Sequence, residues 1–171
     1  MKRAKVTLIT GGARSGKSSF AQRIALEHSS NPVYLATSRV WDEEHRQRIE
    51  RHKADRGPQW TTVEEELALS QHDFTGRTVV VDCVTLWCTN FFYDFDSDVN
   101  RTLEVVCSEF DRLVEQVADL IFVTNEIGSG GVSVDICQRR FCDLQGWVNQ
   151  YIARKADEVW LMVSGIPVKI K

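Results

Sequence analysis

Gly11-Gly12-Ala13-Arg14-Ser15-Gly16-Lys17-Ser18 fits the spacing G-x-x-x-x-G-K-[ST], the pattern of a phosphate-binding P-loop. The chemistry follows from the residue types. Glycines let the backbone wrap closely around an anion, and amides at the start of the next helix point at phosphate oxygens. Lys17 is placed to reach the β- and γ-phosphates of a nucleotide, and the Ser18 hydroxyl to hold Mg²⁺. The motif lies between Ala4-Lys5-Val6-Thr7-Leu8-Ile9-Thr10, which reads as a strand, and Ser19 to Leu26, whose apolar residues recur at helical spacing. Strand, glycine loop and helix in that order make a chance Gly-rich turn the poorer reading.

A second acidic group suits the same chemistry. Thr78-Val79-Val80-Val81-Asp82 is a β-branched run ending in a carboxylate, the pattern of a buried parallel strand carrying a Walker B acid that orients Mg²⁺. Val33-Tyr34-Leu35-Ala36-Thr37 reads as another strand, with Thr37 and Ser38 at its carboxyl end, where doubly wound sheets bind ligands. Asp42 is placed to cap a helix running to about Ala54, with Glu43 and Glu44 suited to its dipole. Along it, His45, Ile49, His52 and Arg56 follow steps of four, three and four and are expected on one face, with Lys53 adjoining. A helix this charged is ordinarily a solvated face. Histidine and cations gathered on one side of a P-loop protein keep open a second reading, a cluster around phosphates.

The remaining elements must position those groups. Trp60-Thr61-Thr62-Val63 reads as a short extended piece, Glu64 to Ser70 as a brief helix, and Leu86 to Phe92 as another. Asp94 to Asp98 reads as a loop and cap; it lacks the central Gly and terminal Glu of a calcium loop. Leu103, Val106, Phe110, Leu113 and Val117 recur at steps of three and four, the stripe of a long amphipathic helix starting at Val99. Leu120 to Asn125 is a strand leading into the Gly-rich Glu126-Ile127-Gly128-Ser129-Gly130-Gly131 loop. Asp135 begins a helix that packs Ile136, Phe141, Leu144, Val148 and Ile152 on the sheet. Glu158 to Val163 is a strand, and Pro167 to Ile170 a short closing one that pairs antiparallel after the turn at Ser164-Gly165-Ile166-Pro167. Four or five strands alternating with helices imply an α/β fold with a mostly parallel sheet and right-handed crossovers.

Composition bounds the function. At 171 residues, with a net charge of −3, the chain suits one α/β domain and offers no global positive field for nucleic acid. No apolar stretch approaches the roughly 18–20 residues of a membrane helix. Met1-Lys2-Arg3 precedes only a short apolar run, which reads as no signal peptide. Five cysteines, none in C-x-x-C spacing, favour free thiols in a reducing cytoplasm over a zinc site.

Several stretches fall together in one order: G-G-A-R-S-G-K-S at 11–18, Tyr34-Leu35-Ala36-Thr37-Ser38, Arg48-Ile49 with His52-Lys53, Val123-Thr124-Asn125-Glu126-Ile127-Gly128, and Asp157 to Ile166. Together they resemble the bifunctional adenosylcobinamide kinase/adenosylcobinamide-phosphate guanylyltransferase family of cobalamin biosynthesis, over nearly the whole chain. The resemblance implies a single P-loop NTPase domain with a RecA-like sheet over residues 1–171, and a homo-oligomer, typically a trimer. It implies phosphorylation of the aminopropanol hydroxyl of adenosylcobinamide by ATP or GTP, then transfer of GMP from GTP through a guanylylated histidine. His52 matches that histidine. Gly11 to Ser18, Ala36, Thr37, Ser38, Lys53, Ala54, Asp55, Arg56, Glu64 and Asp82 match nucleotide contacts, with Ser18 and Asp82 toward the metal. Arg51 stands where some members have a second His, and Asp82 where some have Glu. The segment after Gly130 and the region 94–98 match no family wording. Two other readings use the same residues: a plain small-molecule kinase with His52 on the surface, and a RecA-like assembly module driven by hydrolysis.

Overall fold

The structure is a computed structural model that describes residues 3–54 and 56–171, apart from the side chains of His45, Arg48, Arg51 and His52. Its centre is a seven-stranded sheet in the order β3-β2-β4-β5-β1-β6-β7. The strands are β1 (Lys5–Gly11), β2 (Val33–Ala36), β3 (Thr61–Glu64), β4 (Thr78–Asp82), β5 (Asp119–Val123), β6 (Glu158–Val163) and β7 (Ile166–Lys169). All pairings are parallel except β6 with β7. The helices are α1 (Lys17–His28), α2 (Glu43–Ala54), α3 (Val84–Asp94), α4 (Val99–Val114) and α5 (Ile136–Lys155). The α/β class, the mostly parallel sheet and the antiparallel C-terminal edge strand are as the sequence implies. No helix among the described residues is long and apolar enough to cross a membrane.

Strand alternation divides the core in two. Val6 and Leu8 of β1, Val79 and Val81 of β4, and Leu120 and Phe122 of β5 pack against Trp87 of α3, Phe110 and Leu113 of α4, and Leu144 and Val148 of α5. Ile9, Val80, Ile121 and Val123 point the other way, onto Phe20, Ala21 and Ala25 of α1. Residues one apart on a strand face opposite sides, so strands covered on both faces read as unbroken apolar runs. The helices start where capping chemistry predicts. Asp98 accepts a hydrogen bond from the Arg101 amide at 3.0 Å and Asp135 from the Gln138 amide at 2.7 Å.

Three expectations differ from the structure. The sheet has seven strands rather than four or five, because β7 adds an antiparallel edge to the five that alternate with helices and Thr61–Glu64 joins β2 as a parallel edge. No helix runs from Glu64 to Ser70. The Glu65 carboxylate instead accepts from the Leu67 and Ala68 amides, each at 3.0 Å, and only a 3₁₀ turn at Leu69–Gln71 follows; a side chain that bonds its own backbone competes with helix formation. The long amphipathic helix ends at Val114, and Val117 is exposed. Beyond that end the Gln116 amide group turns to the 72–74 segment, accepting from the Phe74 amide at 2.7 Å and donating to the His72 carbonyl at 2.9 Å.

Phe110 is fully buried, with ring centroids 5.2 Å from Phe122 and 6.1 Å from Tyr151. Phe110→Ala should therefore cost roughly 3–5 kcal/mol of stability. Urea denaturation checks this: the midpoint should fall with an unchanged slope.

Candidate active site

The P-loop joins β1 to α1 at the carboxyl edge of the sheet. Gly11 has φ +151°, and a Cβ there would stand 2.7 Å from the Met162 carbonyl oxygen and 2.8 Å from Ser15 Oγ. Gly16, at φ +91°, caps α1 without a side-chain hydrogen bond, which leaves the first-turn amides for an anion. The loop is held from both sides. The Glu126 amide donates to the Gly11 carbonyl at 3.0 Å, and the Gly165 amide to the Ser15 carbonyl at 2.9 Å. Gly165, with Ser164, forms the left-handed turn between β6 and β7. Gly12, Ala13 and Arg14 are exposed; Ser18 is half-buried in the first turn of α1.

Lys17 is buried, and its Nζ donates to the Gly12 carbonyl at 2.5 Å and lies 3.4 Å from Ser15 Oγ. Burial lowers its pKa from the ordinary lysine value, while the Asp82 carboxylate acts in the opposite sense. Asp82 thus lies within electrostatic reach of the lysine. The Tyr34 hydroxyl donates to Asp82 Oδ2 at 2.7 Å. Burial pushes the neighbouring Cys83 thiol up to about 12, so it stays protonated and is no nucleophile near neutral pH.

Thr37 is fully buried and acts inside the protein. Its hydroxyl donates to the Cys83 carbonyl at 2.7 Å and accepts from the Cys83 amide at 2.9 Å. Its own carbonyl accepts from Asn90 Nδ2 at 2.8 Å. The carboxyl end of β2 is thereby fixed to the turn that carries Asp82. Ala36 and Ser38 flank it, half-buried.

The expected α2 face is broken at its last member. The helix ends at Ala54, and Arg56 lies beyond it with its guanidinium carbon 3.9 Å from the Tyr34 ring centroid. Lys53 forms an ion pair with Glu64 at the exposed β3 edge, and Ala54 is exposed. His52 belongs to α2, but its side chain, those of His45, Arg48 and Arg51, and Asp55 as a whole lie outside the described residues.

Sequence reasoning missed several contacts. Arg39 holds Glu66 at 2.7 Å and both oxygens of Asp94 at 2.8 and 3.0 Å, so Asp94 is a partner of the β2–α2 connection and not merely part of a loop. Glu126 accepts from the Gly128 amide at 2.8 Å and the Ser129 amide at 3.1 Å, pinning the loop beside Gly11. The Tyr34 contact with Asp82 joins residues 48 apart in sequence; the strand pattern alone gave no sign of it.

Residues 7–170 match the family described as cobinamide kinase / cobinamide phosphate guanyltransferase. The chain belongs to that family. Members of the cobinamide kinase / cobinamide phosphate guanyltransferase family are enzymes, and the nucleotide-binding loop described above is the part common to P-loop kinases. Relatives include the bifunctional adenosylcobalamin biosynthesis proteins CobP of Pseudomonas aeruginosa and CobU of Escherichia coli. The first is 39% identical, with 96% of each chain covered. The second is 40% identical, covering 96% of this chain and 98% of its own. Among solved structures, the flagellar accessory protein FlaH of Methanocaldococcus jannaschii aligns at 12% identity with a TM-score of 0.47, over 98% of this chain and 78% of its own.

Within this family member the two N-terminal glycines of the loop should behave differently. A Cβ at Gly12 meets nothing within 4 Å, whereas one at Gly11 meets backbone. Gly11→Ala should lower stability by roughly 1–3 kcal/mol, and Gly12→Ala by less than about 0.5 kcal/mol. Paired thermal melts check the contrast.

Proposed function

We propose that this chain phosphorylates adenosylcobinamide on its aminopropanol hydroxyl, using ATP or GTP, and then transfers GMP from GTP to the new phosphate through His52. Family membership over residues 7–170, with Lys17 buried in the P-loop close to Asp82, is the observation that carries the reading. In the kinase step the substrate hydroxyl oxygen bonds to the γ-phosphorus, the bond to the β-phosphate oxygen breaks, and the hydroxyl proton is released. Positioning and charge stabilisation dominate such transfers. Lys17 offsets charge on the β- and γ-phosphates.

Ser18 and Asp82 offer a hydroxyl and a carboxylate, hard oxygen donors that fit Mg²⁺. When bound there, Mg²⁺ would neutralise phosphate charge.

In the transfer step a neutral imidazole nitrogen of His52 bonds to the α-phosphorus of GTP, and pyrophosphate leaves. A phosphate oxygen of the corrinoid then displaces the imidazole. An ordinary histidine pKa of about 6.5 leaves most imidazole neutral at pH 7. Arg56 and Lys53, just after His52 in sequence, are suited to offset charge on the phosphates. Nucleotide contact is also proposed for Ala36, Ser38, Ala54, Asp55 and Glu64, and for the backbone of Thr37. Exposed apolar side chains on and beside the β7 edge, Val163, Ile166 and Ile170, support a homo-oligomer, for which the family resemblance suggests a trimer, and five free cysteines suit work in a reducing cytoplasm.

GTP labelled at the α-phosphate should leave GMP on the protein through an acid-labile, alkali-stable bond. His52→Ala should lose the label and the transferase step yet keep most kinase turnover. His45→Ala should keep the label, since seven helical residues separate the two by roughly 10 Å. Lys17→Ala should lower both activities about 10²-fold or more. Label that survives in His52→Ala would overturn the assignment, and an unlabelled wild type would favour a plain kinase.

A further inference from the structure

Tyr34 opens the Tyr34-Leu35-Ala36-Thr37-Ser38 stretch but has been given no role in the site. It lies on β2 and packs with Ile9, Val80, Cys83 and Ile121 on the α1 side of the sheet. In the β2–β4 register, Tyr34 pairs with Val80, and Ala36 pairs with Asp82. The ring must therefore reach two residues forward to meet the carboxylate, and it does, with Oη 2.7 Å from Oδ2. Among the aliphatic and aromatic side chains, only tyrosine combines that length with a donor at its tip.

The other contact is on the ring face. The Arg56 guanidinium carbon stands 3.9 Å from the ring centroid, and Trp60 meets the same ring edge-on at 6.0 Å. An aromatic face attracts a cation without accepting its N–H groups in the manner of a carboxylate. The arginine is seated while its donors stay available. Arg56 Nε is buried and has no hydrogen-bond partner among the described residues. A buried, unsatisfied donor on a charged group is costly, and an anionic oxygen is the acceptor that matches it.

We propose that Tyr34 is a positioning residue of the nucleotide site: its hydroxyl fixes the Asp82 carboxylate for the metal, and its ring seats the Arg56 guanidinium for a phosphate. One residue then links the metal side of the site to the segment that follows α2. The Tyr34 hydrogen bond engages Oδ2, and the carboxylate keeps a second oxygen for the cation or its water. Orientation by an outer partner of this kind commonly changes metal affinity by about tenfold or more. The identity of the anion as a nucleotide phosphate rests on the function proposed above.

The test uses the full chain with Mn²⁺ and a β,γ-imido GTP analogue, following bound Mn²⁺ by electron paramagnetic resonance and nucleotide affinity by calorimetry. Tyr34→Phe keeps the ring and removes only the hydroxyl. It should weaken Mn²⁺ binding in the nucleotide complex by about tenfold or more, with nucleotide affinity at saturating Mn²⁺ within about twofold of wild type. In an Asp82→Asn background the same change should have little further effect. Tyr34→Leu should add a loss of nucleotide affinity at saturating Mn²⁺, and Arg56→Ala should abolish that extra loss. Equal effects of Tyr34→Phe with and without Asp82, or no effect, would overturn the metal half. Tyr34→Leu indistinguishable from Tyr34→Phe would overturn the arginine half. If Tyr34→Leu does not fold, Arg56→Ala decides that half: it must lower analogue affinity at saturating Mn²⁺, and unchanged affinity would overturn it. These readouts need neither group transfer, so a wild type that binds the analogue but moves no phosphoryl or GMP would sink the proposed function and leave the positioning role standing. A wild type that binds no analogue would sink both.

Discussion

Lys17 brings an ammonium into a site where only 7% of the residue is exposed, and burial alone would favour losing its proton. Much of the surrounding structure serves to keep that charge usable. The Gly12 carbonyl accepts from it, and the Asp82 carboxylate lies close enough to raise its pKa. Gly11 and Gly16 give the loop a backbone path that a side chain would block or strain. The amides of Glu126 and Gly165, from opposite sides of β1 in the sheet, bind the loop carbonyls. A preorganised cation of this kind stabilises phosphate charge without reorganising during the reaction.

The two faces of the sheet divide the work. α3, α4 and α5 cover one face with most of the large buried side chains. The other carries α1 and a smaller cluster that includes Tyr34, Cys83 and Met162. The larger core supplies stability, while the smaller one runs directly into site residues. Thr37 shows the link: its fully buried hydroxyl ties the end of β2 to the turn after Asp82. Thr37 thus acts by fixing the backbone that presents the Asp82 carboxylate.

What was legible in the sequence was local. The P-loop spacing, the apolar runs of β1, β4 and β5, and the Asp98 and Asp135 caps each depend on residues within one turn or strand, and each appears where its pattern lies. The edge strand β3 was partly hidden, because the extended piece Trp60 to Val63 is short and its pairing with β2 is a tertiary event. The Tyr34–Asp82 and Arg39–Asp94 contacts join residues 48 and 55 apart, distances over which periodicity carries no information. Helical spacing extended the α2 face to Arg56, but the helix stops at Ala54 and the cation finds an aromatic ring instead. His52 stood out on a helix face by its spacing from His45 and Ile49, and its proposed role rests on the resemblance of the R-I-x-x-H-K stretch.

The central claim is that one P-loop serves both group transfers, since the sequence contains one G-x-x-x-x-G-K-[ST] match. Calorimetric titration with non-hydrolysable ATP and GTP analogues, singly and in competition, tests it most directly. One nucleotide should bind per chain, each analogue should displace the other, and Lys17→Ala should weaken both. Two nucleotides bound per chain without mutual displacement would contradict it.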